Sequence, residues 1–117
     1  MMKVLVISVL ALVLSGPAAA CGRPTQYQLT TKLEREYPNF KRALVMHFGR
    51  SWKAAAIVSW GEGGWNPYAS NGQYLGTFQM GARERSTYGH SRTLAGQAAA
   101  AAKYWRVSGW GPWSCKP

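Results

Sequence analysis

No aspartate occurs anywhere in the sequence, glutamate occurs only four times, at positions 34, 36, 62 and 84, and histidine and cysteine occur twice each. These shortages exclude whole classes of chemistry. A zinc centre needs three or four Cys, His or carboxylate ligands that converge, and His47 and His90 stand far apart with no paired spacing, so neither a metal nor another cofactor is expected. A Ser-His-Asp triad lacks its aspartate; a glutamate could replace it, but neither histidine lies in a nucleophile motif. The glycines at 61, 63 and 64 have neither the spacing nor the lysine of a phosphate-binding loop. Long apolar runs are missing too, since the run over residues 4–14 is well short of the ~20 residues that span a bilayer.

That short run has another use. Lys3, the apolar stretch and the small residues Ala18-Ala19-Ala20 before Cys21 form the three parts of a secretory signal, so residues 1–20 are expected to be removed and residues 21–117 to form one soluble domain. Lys3 is the only charge in the first twenty residues, so thirteen basic and four acidic residues remain, a net +9. Such a charge favours polyanionic partners: a bacterial wall, an anionic membrane surface or extracellular nucleic acid. The basic residues are spread along the chain without a run, so charge does not choose among them.

Export also takes Cys21 and Cys115 into a compartment where disulfides persist, and a bridge between them would close nearly the whole domain. The rival reading is lipidation of Cys21. A lipoprotein signal normally has a larger aliphatic residue where this chain has Ala18.

Periodicity predicts a mainly α fold. Residues 22–30 read as an extended lead-in. Thr31-Lys32-Leu33-Glu34 fits a capping box, and Leu33, Tyr37, Phe40, Leu44 and Phe48 then recur on one helical face. Pro38 either kinks that helix or starts its second half, and Gly49 stops it. Ser51 is placed to cap a second helix running from Trp52 to Trp60, with Glu62 just beyond its end. Residues 65–81 carry turn formers and aromatics and predict a short hairpin or irregular ribbon. A short helix is expected from Arg83 to Tyr88, and a last, alanine-rich one from Leu94 to Val107, with Thr93 as cap and Gly109 as stop.

Of the four glutamates, Glu34 is absorbed by the capping box and Glu36 by the exposed side of a helix among Arg35, Lys41 and Arg42. Glu84, between Arg83 and Arg85, reads as a first-turn helix acid, with a secondary active-site role as its alternative. Glu62 has no flanking charge and lies between Trp60 and Trp65 where a helix opens into glycines. A carboxyl held against apolar surface near helix carbonyls is disfavoured as an anion, which raises its pKa toward that of a useful general acid. His47 reads as packed or surface, and His90 as a loop residue.

Glu62-Gly63-Gly64-Trp65-Asn66-Pro67-Tyr68-Ala69, followed by Gly76-Thr77-Phe78-Gln79, resembles the active-site signature of the lytic transglycosylase branch of the lysozyme-like superfamily. The tail Gly109-Trp110-Gly111-Pro112-Trp113-Ser114-Cys115 is similar to the end of small actinobacterial wall-cleaving domains, including the resuscitation-promoting factors. Together the two cover roughly residues 51–115. The resemblance implies a small lysozyme-like domain of the α+β class, mainly α, with its hairpin flanking an active cleft. It implies that Glu62 protonates the oxygen between N-acetylmuramic acid and N-acetylglucosamine, and that Gln79, with Asn66 and Thr77, lines the sugar cleft. Trp65, Tyr68 and Tyr74 become candidate subsite walls, because sugar C–H faces stack on rings; each has the core as its competing place. The chain departs from the family at Gly63, where Ser is common, at Thr77, where an apolar residue is commoner, in lacking a cysteine just before the glutamate, and in lacking an Asn-Ala-Gly motif.

Two-carboxylate glycosidases place their acids ~5 to 9.5 Å apart. Only one acid stands out here, so a single-acid mechanism is expected, with the substrate's acetamido and 6-hydroxyl groups replacing the second residue. The expectation is an exported or wall-associated, monomeric enzyme acting on peptidoglycan, with no nucleic-acid partner and no transmembrane segment. Its rivals are a non-catalytic wall-binding module, a two-carboxylate muramidase using Glu84, and a cationic membrane-active protein.

Overall fold

The computed structural model describes residues 21–117, and the expected secretory signal lies outside the described residues. The domain is mainly α with one small hairpin. A helical entry runs from residue 26 through a π-helical turn at Gln28–Lys32 into α1, Leu33–Glu36. Then follow α2, Pro38–Phe48, a 3-10 turn, Gly49–Ser51, and α3, Trp52–Gly63. Strands β1, Ser70–Asn71, and β2, Tyr74–Leu75, pair antiparallel with Ser70 opposite Leu75. The chain closes with α4, Ala82–Tyr88, and α5, Leu94–Ser108.

The start of the first helix differs from the expectation. Thr31 lies inside the π-helical turn and caps nothing, and residues 26–30 are helical rather than extended. The capping box lies six residues earlier, in the same kind of pattern. Thr25 Oγ1 accepts from the Gln28 amide at 3.1 Å, and Gln28 Oε1 accepts from the Thr25 amide at 2.7 Å. Glu34 is exposed and meets Lys41 instead, at 3.4 Å. Pro38 starts a new helix in its first turn, where a missing N–H costs nothing.

Leu33, Phe40, Leu44 and Phe48 are all buried, so the face read from spacing is the core face. It meets Ala55, Ala56 and Val58 of α3 and Ala98, Ala101 and Ala102 of α5. Alanines let the helix backbones approach closely, and the volume between them is filled by aromatics: Phe48 stacks on Phe78 at 5.9 Å and on Trp110 at 5.7 Å. Gly49 and Gly109 terminate α2 and α5 at positive φ, as the sequence implied. Thr93 caps α5 through its hydroxyl, which accepts from the Gly96 amide at 3.0 Å. Ser51, by contrast, makes no side-chain cap, because the 3-10 turn already winds into α3.

Candidate active site

Helix α3 is longer than its periodicity suggests. It continues through Gly61, Glu62 and Gly63 and stops at Gly64, whose left-handed backbone lets its amide reach the carbonyls of Ser59, at 3.1 Å, and Trp60, at 2.9 Å. Glu62 therefore stands in the last helical turn, not beyond it.

Glu62 is 5 % exposed, and its Oε2 accepts the Cys115 amide at 2.8 Å. The C-terminal tail is held there by the Cys21–Cys115 disulfide, whose Cα atoms are 5.4 Å apart. It also packs on Gly61 so tightly that a Cβ at that position would lie 2.9 Å from Cys115 Cβ. Burial pushes the Glu62 pKa above the ordinary 4.5; the backbone N–H groups of Cys115 and Ser114 and the charge of Lys116 oppose it without winning. The groups that bear on the carboxyl include partners from the far end of the chain, the polar backbone of the tail and the charge of Lys116.

This environment fixes the sign of a pH effect. The folded protein binds the Glu62 proton more tightly than the unfolded chain, so the group's contribution to stability is complete below its ordinary pKa and is lost as pH rises through the raised value. Thermal melts should show the melting temperature of the wild type falling relative to Glu62→Gln as pH rises from 4.5, with no such divergence at lower pH.

The chain after Glu62 folds back against the same helix end. A Cβ at Gly63 would lie 2.5 Å from Thr77 Cα and 2.7 Å from the Gly76 and Thr77 carbonyl oxygens. Glycine at 63 is what admits the 76–77 backbone this closely. Thr77 is fully buried, its Oγ1 donating to the Ser59 carbonyl at 3.1 Å. Trp65 is also buried, with Nε1 donating to the Ala56 carbonyl at 3.0 Å and its ring edge-on to Trp60 and Tyr37. Both residues correct the expectation that their side chains line a sugar cleft. A buried indole N–H requires an acceptor, and it finds one inside the helix bundle.

The other expected site residues remain accessible or polar. Asn66 Oδ1 accepts the Tyr68 amide at 2.9 Å and fixes the Asn-Pro turn, on which Tyr68 is 76 % exposed. Tyr74 is half-buried in the hairpin and belongs to a cluster with Glu84, Tyr88 and Tyr104. Within it Tyr88 stacks on Tyr104 at 5.2 Å, and the Tyr104 pKa is raised by burial and then by Glu84, Tyr88 and Tyr74. Arg85, beside Glu84, donates instead to the carbonyls of Gln73 and Met80, both at 2.5 Å. Gln79 is buried with Nε2 donating to the Gly76 carbonyl at 2.9 Å, while Oε1 has no partner among the described residues. Its φ of +47° and the +57° of Trp65 are the positive values among described non-glycine residues. Strained backbone of this kind persists where the surroundings over-determine it, and it concentrates at functional sites.

One residue that organises the loop was not legible. Gln97, in the alanine-rich α5, is buried; Oε1 accepts the Thr77 amide at 2.8 Å, and Nε2 donates to the carbonyls of Pro67, at 3.0 Å, and Ser91, at 2.9 Å. It joins the Asn-Pro turn, the 76–79 loop and the α5 approach. Its only sequence signal is a polar residue on an apolar helix face. Gln97→Leu leaves one buried and two part-buried backbone groups unpaired and is expected to cost about 2 to 3 kcal/mol, read as a lower denaturant midpoint at unchanged slope.

No protein-family model, no curated protein and no solved structure matches the chain.

Proposed function

We propose that the domain is an exported lytic transglycosylase of lysozyme-like fold, cleaving the bond between N-acetylmuramic acid and N-acetylglucosamine in peptidoglycan. The observation that carries this reading is a solitary buried carboxyl, raised in pKa, at a helix end against which the Gly76-to-Gln79 loop is packed. Glu62 gives its proton to the leaving glycosidic oxygen, and the muramyl 6-hydroxyl attacks C1 of the same sugar. The hydroxyl proton returns to Glu62, so acid and base are one residue and the product carries a 1,6-anhydro ring. The unpartnered Oε1 of Gln79 is an acceptor suited to an amide N–H or hydroxyl of the sugar.

The test is the mass of digestion products from purified peptidoglycan. Anhydro-muropeptides, lighter by one water than hydrolytic products, are expected. Reducing ends alone would overturn the transglycosylase and favour a hydrolase using Glu84. A second reading also has an observation behind it: with Oε2 taken by the Cys115 amide, Glu62 serves as the anchor of the tail in a non-catalytic wall-binding module. Binding to intact walls without any soluble product is the result that favours it.

A further inference from the structure

A concave surface lies beside the Asn66-Pro67 turn. It is an open groove of about 840 Å³ between α2 and the start of α5, within the ~300–1,000 Å³ range of ligand sites. A smaller hollow of about 190 Å³ shares Pro67, Tyr68 and Arg92 with it and extends past His90 to Gly76. Gly76 is in turn packed on Gly63, next to Glu62. The groove thus runs from α2 to within two contacts of the candidate acid without including it.

Its lining is of two kinds. Small apolar groups such as Pro38, Ala43, Ala95 and Ala99 are present, with Met46 and Tyr68, two of the most exposed large hydrophobic residues of the described domain, alongside them. Charge is supplied by Arg42, Arg92 and Glu36, with the His47 imidazole also in the lining. Glu36 is 4.0 Å from Lys32, and the first turn of α5 holds no acid. Arg42 spends one N–H on Asn39 Oδ1 at 2.9 Å, and Arg92 makes no hydrogen bond or ion pair among the described residues. Two guanidinium forks with free donors therefore flank a floor of methyl and ring surface, which matches an extended chain of small side chains bearing free carboxylates.

We infer that this groove binds the peptide stem of peptidoglycan, a short anionic peptide of alanines and γ-linked glutamate, through Arg42 and Arg92, with Tyr68 packing on its backbone. The choice of ligand rests on the wall-cleaving reading; the groove and its charge do not. The stem springs from the muramyl lactyl group, so a site that starts beside the Glu62 turn can hold the peptide while the glycan lies at the acid.

The experiment is a heteronuclear NMR titration of the oxidised protein with the N-acetylated tetrapeptide Ac-Ala-γGlu-Lys-Ala, whose acetyl group stands in for the lactyl amide and leaves it a net anion. Shifts are expected at Tyr68, Arg92 and the α2 residues of the groove. Arg42→Gln/Arg92→Gln should weaken binding about tenfold or more, and blocking the peptide carboxylates as amides should do the same. Both arginines are exposed, and an unchanged melting temperature of the double variant shows that the fold is intact. Equal binding of the amidated peptide, equal binding of oligo-glycerol phosphate, or shifts confined to residues outside the groove would each overturn the inference. Peptide binding as expected together with no wall cleavage by the wild type removes the enzymatic reading and leaves the groove assignment standing. Wall cleavage without peptide binding removes the groove assignment alone.

Discussion

Glu62→Gln is expected to slow the clearing of purified peptidoglycan by about 10²–10⁴-fold, the usual worth of a general acid. The substitution keeps the shape of the side chain, and its amide oxygen can still accept the Cys115 amide, so the tail has no reason to leave. What disappears is a proton of the right acidity. The raised pKa matters here: burial disfavours the carboxylate and shifts Glu62 toward its protonated form relative to an ordinary glutamate. The alkaline side of the rate profile should therefore fall off at a pH above the ordinary glutamate value. Glu84→Gln, in the single-acid mechanism, leaves clearing within a few-fold of wild type. Equal clearing by the wild type and Glu62→Gln would remove Glu62 from the chemistry.

Replacing both cysteines by serine should cost about 4 to 5 kcal/mol, the chain-entropy value for a loop with a sequence separation of 94, and lower the melting temperature by roughly 20 °C. The effect on Glu62 is separable from the effect on stability. The tail both buries the carboxyl and donates to it, and burial is the larger influence. When the tail is freed, the net change follows the larger one, so the Glu62 pKa should fall back toward 4.5. A titration of the Glu62 side-chain carbon by NMR, in oxidised protein and in the double variant at a temperature where both are folded, reads this directly. A pKa that stays put in the variant would show that the tail is not what buries the acid.

The helices were legible where a face is apolar and its ends are marked by glycine. Leu33, Phe40, Leu44 and Phe48 announce the core face, and Gly49 and Gly109 end their helices as expected. The short antiparallel hairpin and its place between α3 and α4 follow from the turn formers around Asn71 and Gly72. Helix starts were harder, because two Thr-x-x-acceptor patterns compete and local spacing cannot rank them: Thr25 with Gln28 wins over Thr31 with Glu34. At the site, elimination isolated Glu62, and its burial agrees with a group set apart. The partners that define its environment come from the other end of the chain, through Cys115, Ser114 and Lys116, and no local window contains them. Gln97 escaped for the same reason, since its three backbone partners are 6, 20 and 30 residues away. Trp65 and Thr77 sit in the signature but point into the core, so a motif that marks a site does not make each of its letters a contact.

The Cys21–Cys115 bond also changes the topology of the molecule. Residues 21 to 115 form a covalent ring closed by that bond. A protease that nicks the exposed hairpin tip at Gly72 or Gln73 severs the backbone without releasing a fragment, and the two pieces stay joined at the bond beside Glu62. One cut is then an injury the ring can survive.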